Sequence, residues 1–226
     1  MSEPRLVEVR RNVLKQNDIL ARALRDRFRR DGVFVMSLVS SPGSGKTMFL
    51  ERILTELQPH YRVAALVGDL ATENDAARLA RSKAPVKQIT TGTVCHLEAL
   101  MVQNALEGWS LPQLDFLFIE NVGNLVCPSS YDLGENLRLV LMSVTEGEDK
   151  PLKYPTIFNS ADVAVITKND LASAVEFDWP LAEKNIHAVR PGMRIFQVSA
   201  KTGEGMKDYL DFLSQQLTES RTVAHS

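Results

Sequence analysis

Eight residues, Ser40 to Thr47 (SSPGSGKT), carry the clearest chemistry in the chain. Gly43 and Gly45 permit a tight turn in which successive backbone N–H groups converge on phosphate oxygens. Lys46 adds a cation and Thr47 a hydroxyl suited to Mg²⁺. Ser44 and Met48 complete the expected nucleotide contacts. Ser40 stands where the pattern G-x-x-x-x-G-K-[ST] has its first glycine. An apolar run before the loop and a helical pattern after it give the strand–loop–helix setting, and an idle glycine-rich turn would leave Lys46 unexplained.

Base choice is written later, in TKND at residues 167 to 170. A carboxylate at Asp170 can accept from both N1–H and the exocyclic amine of guanine, whereas adenine offers a bare N1 acceptor on that edge. GTP and GDP are therefore the expected nucleotides. The Lys168 stem can lie over the base plane, at the C-terminal end of a strand, where open α/β sheets bind ligands. Thr167 takes the place of the asparagine in the pattern N-K-x-D, and a hydroxyl offers fewer hydrogen bonds than a carboxamide for anchoring the loop. A third piece, Ser199, Ala200 and Lys201 in SAKTGEG, follows another strand and can meet the base through its backbone.

Three carboxylates fall between these motifs: Asp69 and Asp75 in GDLATEND, and Glu120 in FLFIENVGN. Each can touch Mg²⁺ directly or through water, and Asp69 can orient an attacking water. Lys46, Asp69 and Glu120 are the candidate catalytic set, with roles within the acidic trio open. For Asp75, an acid at a helix N-terminus is the competing explanation. An acid closing the all-apolar run before Glu120 has little structural excuse.

The chain has two cysteines, Cys95 and Cys127. A lone buried Cys is usually a small hydrophobe. Here Cys95 adjoins His96, and Cys127 lies seven residues after Glu120. Two thiols and an imidazole form a soft set suited to Zn²⁺, or to Ni²⁺ in a planar arrangement. Three ligands leave the set incomplete, which calls for water, a partner or a second subunit.

These residues need a scaffold, and the remaining sequence describes one. At 226 residues and 44% hydrophobic, the chain suits one large α/β domain. A net charge of −2 gives no global basic excess to recruit nucleic acid or anionic lipid. Met1 leads straight into SEPRLVEVRRNVLKQ, with no charged n-region and long apolar stretch, so a cytoplasmic location is expected.

Residues 1–30 read as a basic amphipathic helix, with nine Lys/Arg against four acids and apolar Leu6, Val9, Val13, Leu20, Leu24 and Phe28 at helical spacing. It can cover the core or act as a docking arm for a partner protein. Residues 31–220 read as the nucleotide-binding domain and 221–226 as a tail. Strands are expected at 33–39, 63–67, 86–89, 114–119, 137–144, 163–167 and 195–199. Helices are expected at 47–57, 74–82, 97–106, 180–189 and 205–217. Runs apolar on both faces imply a mostly parallel sheet covered by helices on both sides. The longest break in pattern, 145–153 (TEGEDKPLK), reads as a polar, mobile loop.

In order, GSGKT, GDLATENDAAR, TG-x-x-CHLEA, ENVGNLVCPSSYDLGE, TEGEDKPLKYP and TKNDL resemble the HypB family of nickel-incorporation GTPases for [NiFe]-hydrogenase maturation, over roughly residues 30 to 215. The resemblance implies a P-loop NTPase fold of the SIMIBI type. It implies phosphate and Mg²⁺ binding by Lys46 and Thr47, Mg²⁺ and hydrolysis duties for Asp69, Asp75 and Glu120, and guanine reading by Lys168 and Asp170. Cys95, His96 and Cys127 match the family's GTPase-domain site for Ni²⁺ or Zn²⁺. A homodimer favoured by GTP and metal, a small nickel metallochaperone and a hydrogenase large-subunit precursor are the implied partners, with no nucleic acid or membrane.

This sequence departs from some members. Its first 59 residues contain neither Cys nor His, and Glu98 and Leu100 replace the Asp and His of CHLDAH. The related urease-maturation GTPase is expected to show Cys-Pro-His, where this chain has Cys127-Pro128-Ser129. A metal-binding adaptor with a structural, unhydrolysed nucleotide is the alternative from another class.

Overall fold

A computed structural model describes residues 5–69 and 74–224. Seven strands form one parallel sheet: β1 (Phe34–Ser40), β2 (Val63–Asp69), β3 (Val86–Thr90), β4 (Phe116–Glu120), β5 (Leu137–Ser143), β6 (Val163–Thr167) and β7 (Arg194–Gln197). Their order is β3-β2-β4-β1-β5-β6-β7. The central strands are buried end to end because their sequences are apolar at both parities, which lets each face pack against helices.

Phe34, Met36 and Leu38 face α2 (Lys46–Leu57), α3 (Asn74–Leu79) and α8 (Met206–Ala224). Val35 and Val39 point to the opposite face. That face is covered by α1 (Arg5–Asp31), α4 (Ala99–Ala105), α6 (Pro155–Ser160) and α7 (Trp179–Val189). The C-terminal ends of β1, β2 and β4 align, because Leu38 and Val67 both stand in register with Glu120. The strand order reverses direction at β1, and its C-terminal end is the crevice where parallel sheets hold ligands.

Several expectations change. Residues 145–153 are structured: Ser143 and Glu146 form a reciprocal capping box at the turn Val144–Glu146, and α5 (Lys150–Lys153) follows. Glu148 fastens this stretch to α7, its carbonyl accepting from Asn185 and its carboxylate from the Asp178 N–H. Helix α8 runs to Ala224, so the expected tail at 221–226 begins as helix. Helix α1 spans the predicted N-terminal segment, and its Ala21, Leu24 and Phe28 are fully buried in the core of the nucleotide-binding fold. The α1 side chains at 5–11 and residues 70–73 of the GDLATENDAAR stretch lie outside the described residues.

Asp115 ties the lower end of the sheet together. Its carboxylate accepts from the backbone and guanidinium of Arg62 and from Arg221 on α8. The Arg62 hydrogen bond is the leading cause that holds its carboxyl well below the usual carboxylate range. Such a group stabilises the fold above its unfolded pKa near 4, and the contribution is lost as pH falls through the lower folded value. Asp115→Asn is expected to cost about 1.5–3 kcal/mol at neutral pH. Denaturant titrations across pH should show that deficit shrinking in acid; a constant deficit would contradict it.

Candidate nucleotide and metal site

The loop after β1 turns because Gly43 and Gly45 adopt φ of 78° and 88°, the left-handed region that costs glycine least. Gly45 caps α2 without a side-chain bond, so the first N–H groups of that helix remain directed at the loop's hollow. The hollow is a cavity of about 470 Å³ lined by residues 42–48 together with Asp69, Asp75, Arg78, Val122 and Gly123. All three predicted carboxylates are gathered near it. Asp69 ends β2 and Asp75 opens α3, while Glu120 closes β4 beneath the loop.

Glu120 is 1% exposed. Its Oε1 accepts from Thr47 Oγ1 at 2.8 Å and lies 3.3 Å from Lys46 Nζ. Burial raises its pKa above the ordinary carboxylate value, the Lys46 cation opposes that, and the Asp75 charge adds to it. Oε2 is buried without a hydrogen-bond partner. An orphaned buried carboxylate oxygen beside a phosphate loop fits a divalent cation such as Mg²⁺, a hard ion that takes oxygen ligands.

The loop at residues 167–170 lies against the phosphate loop. The Thr167 hydroxyl is 2.6 Å from the carbonyl of Ser44, so threonine supplies the anchoring expected of an asparagine. Lys168, in the left-handed region at φ 59°, extends its stem over Gly45 and donates from Nζ to the Gly43 carbonyl at 2.7 Å. Asp170 accepts from Ser199 Oγ at 2.7 Å. Ser199 is fully buried, so its side chain orients Asp170 and leaves Ala200 and Lys201 to present the turn. Met48, on the first turn of α2, is exposed beside the cavity.

Cys95, His96 and Cys127 come together, their ligand atoms all within 4.8 Å of one another. The two sulfurs are 3.0 Å apart and unbridged. Neither ring nitrogen of His96 has a hydrogen-bond partner; Nε2 stands 3.4 Å from Glu98 Oε1, and the ring packs on Tyr131 at 3.9 Å. Burial lowers the His96 pKa against the opposing Glu98 carboxylate, a direction that favours the neutral form a metal requires. Two adjacent thiols and a buried imidazole with no hydrogen bond fit a soft metal ion.

The segment between Glu120 and Cys127 touches both halves of the site. Gly123 sits so close to Pro42 that a Cβ there would meet its backbone at 3.2 Å. Asn121 Oδ1 accepts from Leu97 N at 3.0 Å, and Asn124 Nδ2 donates to the Cys95 carbonyl at 3.3 Å. The sequence reading passed over both asparagines and Arg78. Asp75 and Arg78 at i, i+3 share a helix face, which was the available signal for Arg78.

Residues 34–197 match the family described as CobW/HypB/UreG, nucleotide-binding domain. A hydrogenase maturation factor HypB from Rhizobium leguminosarum bv. viciae is 45% identical over 94% of this chain and 71% of its own length. The chain belongs to the HypB family. HypB from Helicobacter pylori, solved in complex with nickel, superposes with a TM-score of 0.86 at 41% identity, covering 91% of this chain and 97% of that one. HypB from Archaeoglobus fulgidus gives 0.83 at 37% identity, covering 90% and 99%. A signal recognition particle 54 kDa protein from Aeropyrum pernix, at 17% identity, shares the fold with a TM-score of 0.59 and coverage of 82% and 49%. The fold is thus that of a P-loop NTPase, and this HypB-family chain carries its two candidate sites at neighbouring strand ends. Among the described residues, no helix is long and apolar enough to cross a membrane.

Proposed function

We propose that this protein hydrolyses GTP to GDP and phosphate and uses that cycle to time nickel delivery during [NiFe]-hydrogenase maturation. The observation that carries this reading is the single segment from Glu120 to Cys127, which borders the phosphate cavity at one end and the thiol–imidazole cluster at the other. Lys46 and the N–H groups of residues 43–47 neutralise and orient the phosphates, Asp69 orients the attacking water, and Lys168 and Asp170 hold guanine. Thr47, Asp69, Asp75 and Glu120 hold Mg²⁺, which supplies charge neutralisation on the phosphate oxygens.

Nickel is the cargo. The two sulfurs and the imidazole are a soft donor set that suits Ni²⁺ and Zn²⁺ alike, and the relative solved with nickel favours Ni²⁺. A second copy of the chain, joined across a two-fold axis when GTP is bound, completes the ligand set. Its partners in the cytoplasm are a small metallochaperone, to or from which it passes nickel, and a hydrogenase large-subunit precursor.

The relative named hydrogenase/urease maturation factor HypB in Helicobacter pylori, 41% identical, favours one second reading, delivery to a urease as well. Cys127→Ala tests the proposal. It should weaken Ni²⁺ and Zn²⁺ binding and abolish any metal effect on hydrolysis, with metal-free GTP affinity unchanged. Phosphate release unaffected by Lys46→Ala would instead favour a metal-binding adaptor with a structural nucleotide.

A further inference from the structure

A buried asparagine occupies the inward stripe of α1. Leu20, Ala21, Leu24 and Phe28 repeat along that stripe, and Asn17, three and four residues before the first two, lies on it at 5% exposure. Both ends of its amide are used in tertiary bonds. Oδ1 accepts from Ala99 N at 2.8 Å, and Nδ2 donates to the Asp132 carbonyl at 2.8 Å.

These two partners belong to the two segments that carry the thiol–imidazole cluster. Ala99 is three residues after His96, and Asp132 is five after Cys127. Ala99 also begins α4, whose preceding residue Glu98 provides no side-chain cap, so Asn17 supplies an acceptor for one of the helix's orphan N–H groups from another helix. The same helix holds the second segment twice more. Arg25 binds the Asp132 carboxylate at 2.6 Å, and Gly134 approaches α1 so closely that a Cβ would meet the Ala21 carbonyl at 2.8 Å. The segments face each other where His96 packs on Tyr131.

We infer that Asn17 is a positioning residue for the metal site, fixing the separation of the Cys95–His96 and Cys127 segments by clamping one with each end of its amide. This rests on the reading of Cys95, His96 and Cys127 as metal ligands. A leucine would suit the stripe's hydrophobicity and leave the Ala99 N–H and the Asp132 carbonyl buried without partners. Alanine removes both clamps. Aspartate keeps the bond from Ala99 and sets an acceptor against the Asp132 carbonyl, so it breaks only the second.

The test measures Ni²⁺ affinity by equilibrium dialysis and the sulfur-to-nickel absorption band in the full chain. Asn17→Ala and Asn17→Asp should each weaken Ni²⁺ binding by about 10- to 100-fold, the usual effect of losing a group that orients a ligand. Both should alter the band while GTP-analogue affinity stays unchanged. Leu57→Ala, a core truncation in the opposite face's cluster, should lower the melting temperature yet keep wild-type Ni²⁺ affinity. If Asn17→Ala fails to fold, Asn17→Asp decides. Wild-type affinity and absorption in the folded Asn17 variants overturn the inference. Unchanged Ni²⁺ binding in Cys127→Ser would instead overturn the metal-site reading on which it rests.

Discussion

Glu120→Gln is expected to lower GTP hydrolysis by on the order of 10²–10³-fold, the scale found when one preorganised group at a reacting centre is removed. Glutamine keeps an oxygen for the Thr47 hydroxyl and the Lys46 ammonium, so the hydrogen-bond pattern around Oε1 survives. What is lost is a negative charge in a nearly water-free position. That charge is costly to keep: burial lifts the folded-state pKa above its unfolded value. Ionised Glu120 therefore works against stability, a cost that is complete above the folded value and eases as pH falls through it toward the unfolded one. At pH 8 the variant should melt no lower than the wild type while phosphate release collapses. Activity lost together with fold would mean a structural role, and undiminished release would remove Glu120 from the hydrolytic set.

Asp170→Asn should exchange guanine for xanthine. With an amide at this position, the 2-oxo group of xanthine meets a donor, whereas the guanine amine loses its acceptor. A site built to hydrogen-bond one edge can reject the mismatched ligand by up to about 10⁴-fold, so competition binding of GTP against xanthosine triphosphate should show preference inverted by at least about 10²-fold. Ser199 Oγ bonds to Asp170 at 2.7 Å in the wild type, and its hydroxyl can equally donate to an asparagine oxygen, so the loop should hold its place. Retained GTP preference would exclude Asp170 from base reading.

All seven strands were legible within about two residues, because runs such as LDFLFIE are apolar at both parities and only a sheet covered on both sides tolerates that. The phosphate loop was equally plain from its glycines. Residues 145–153 were not, since TEGEDKPLK carries no hydrophobic period. Its order comes from long-range bonds, including one from the Ser41 hydroxyl to Glu146. Helix α4 begins at Ala99, two residues later than expected, because Leu97 fills the space over Gly68 and gives its N–H to Asn121. Thr167 looked like a weak anchor, yet one hydroxyl suffices where the Ser44 carbonyl lies within reach. Asn17 escaped notice because its partners are far away in sequence, and a count of apolar positions along α1 treats it as a blank.

Coupling between nucleotide and metal is the central claim. A phosphate entering the loop must compete with Glu120 for Lys46 and Thr47. Asn121, next to Glu120, bonds to Leu97, and Asn124 bonds to Cys95, so the segment gives a shift of Glu120 a bonded route to the cluster. Because linkage is reciprocal, a metal that prefers one nucleotide state must change the relative affinities of the two nucleotides by the same factor. The direct measurement is Ni²⁺ affinity of the wild-type chain with GDP and with a non-hydrolysable GTP analogue. A ratio of about 5- to 150-fold between the two states, equivalent to roughly 1–3 kcal/mol, is the predicted result. Equal affinities in both states would contradict the coupling even if Cys127 proved to be a ligand.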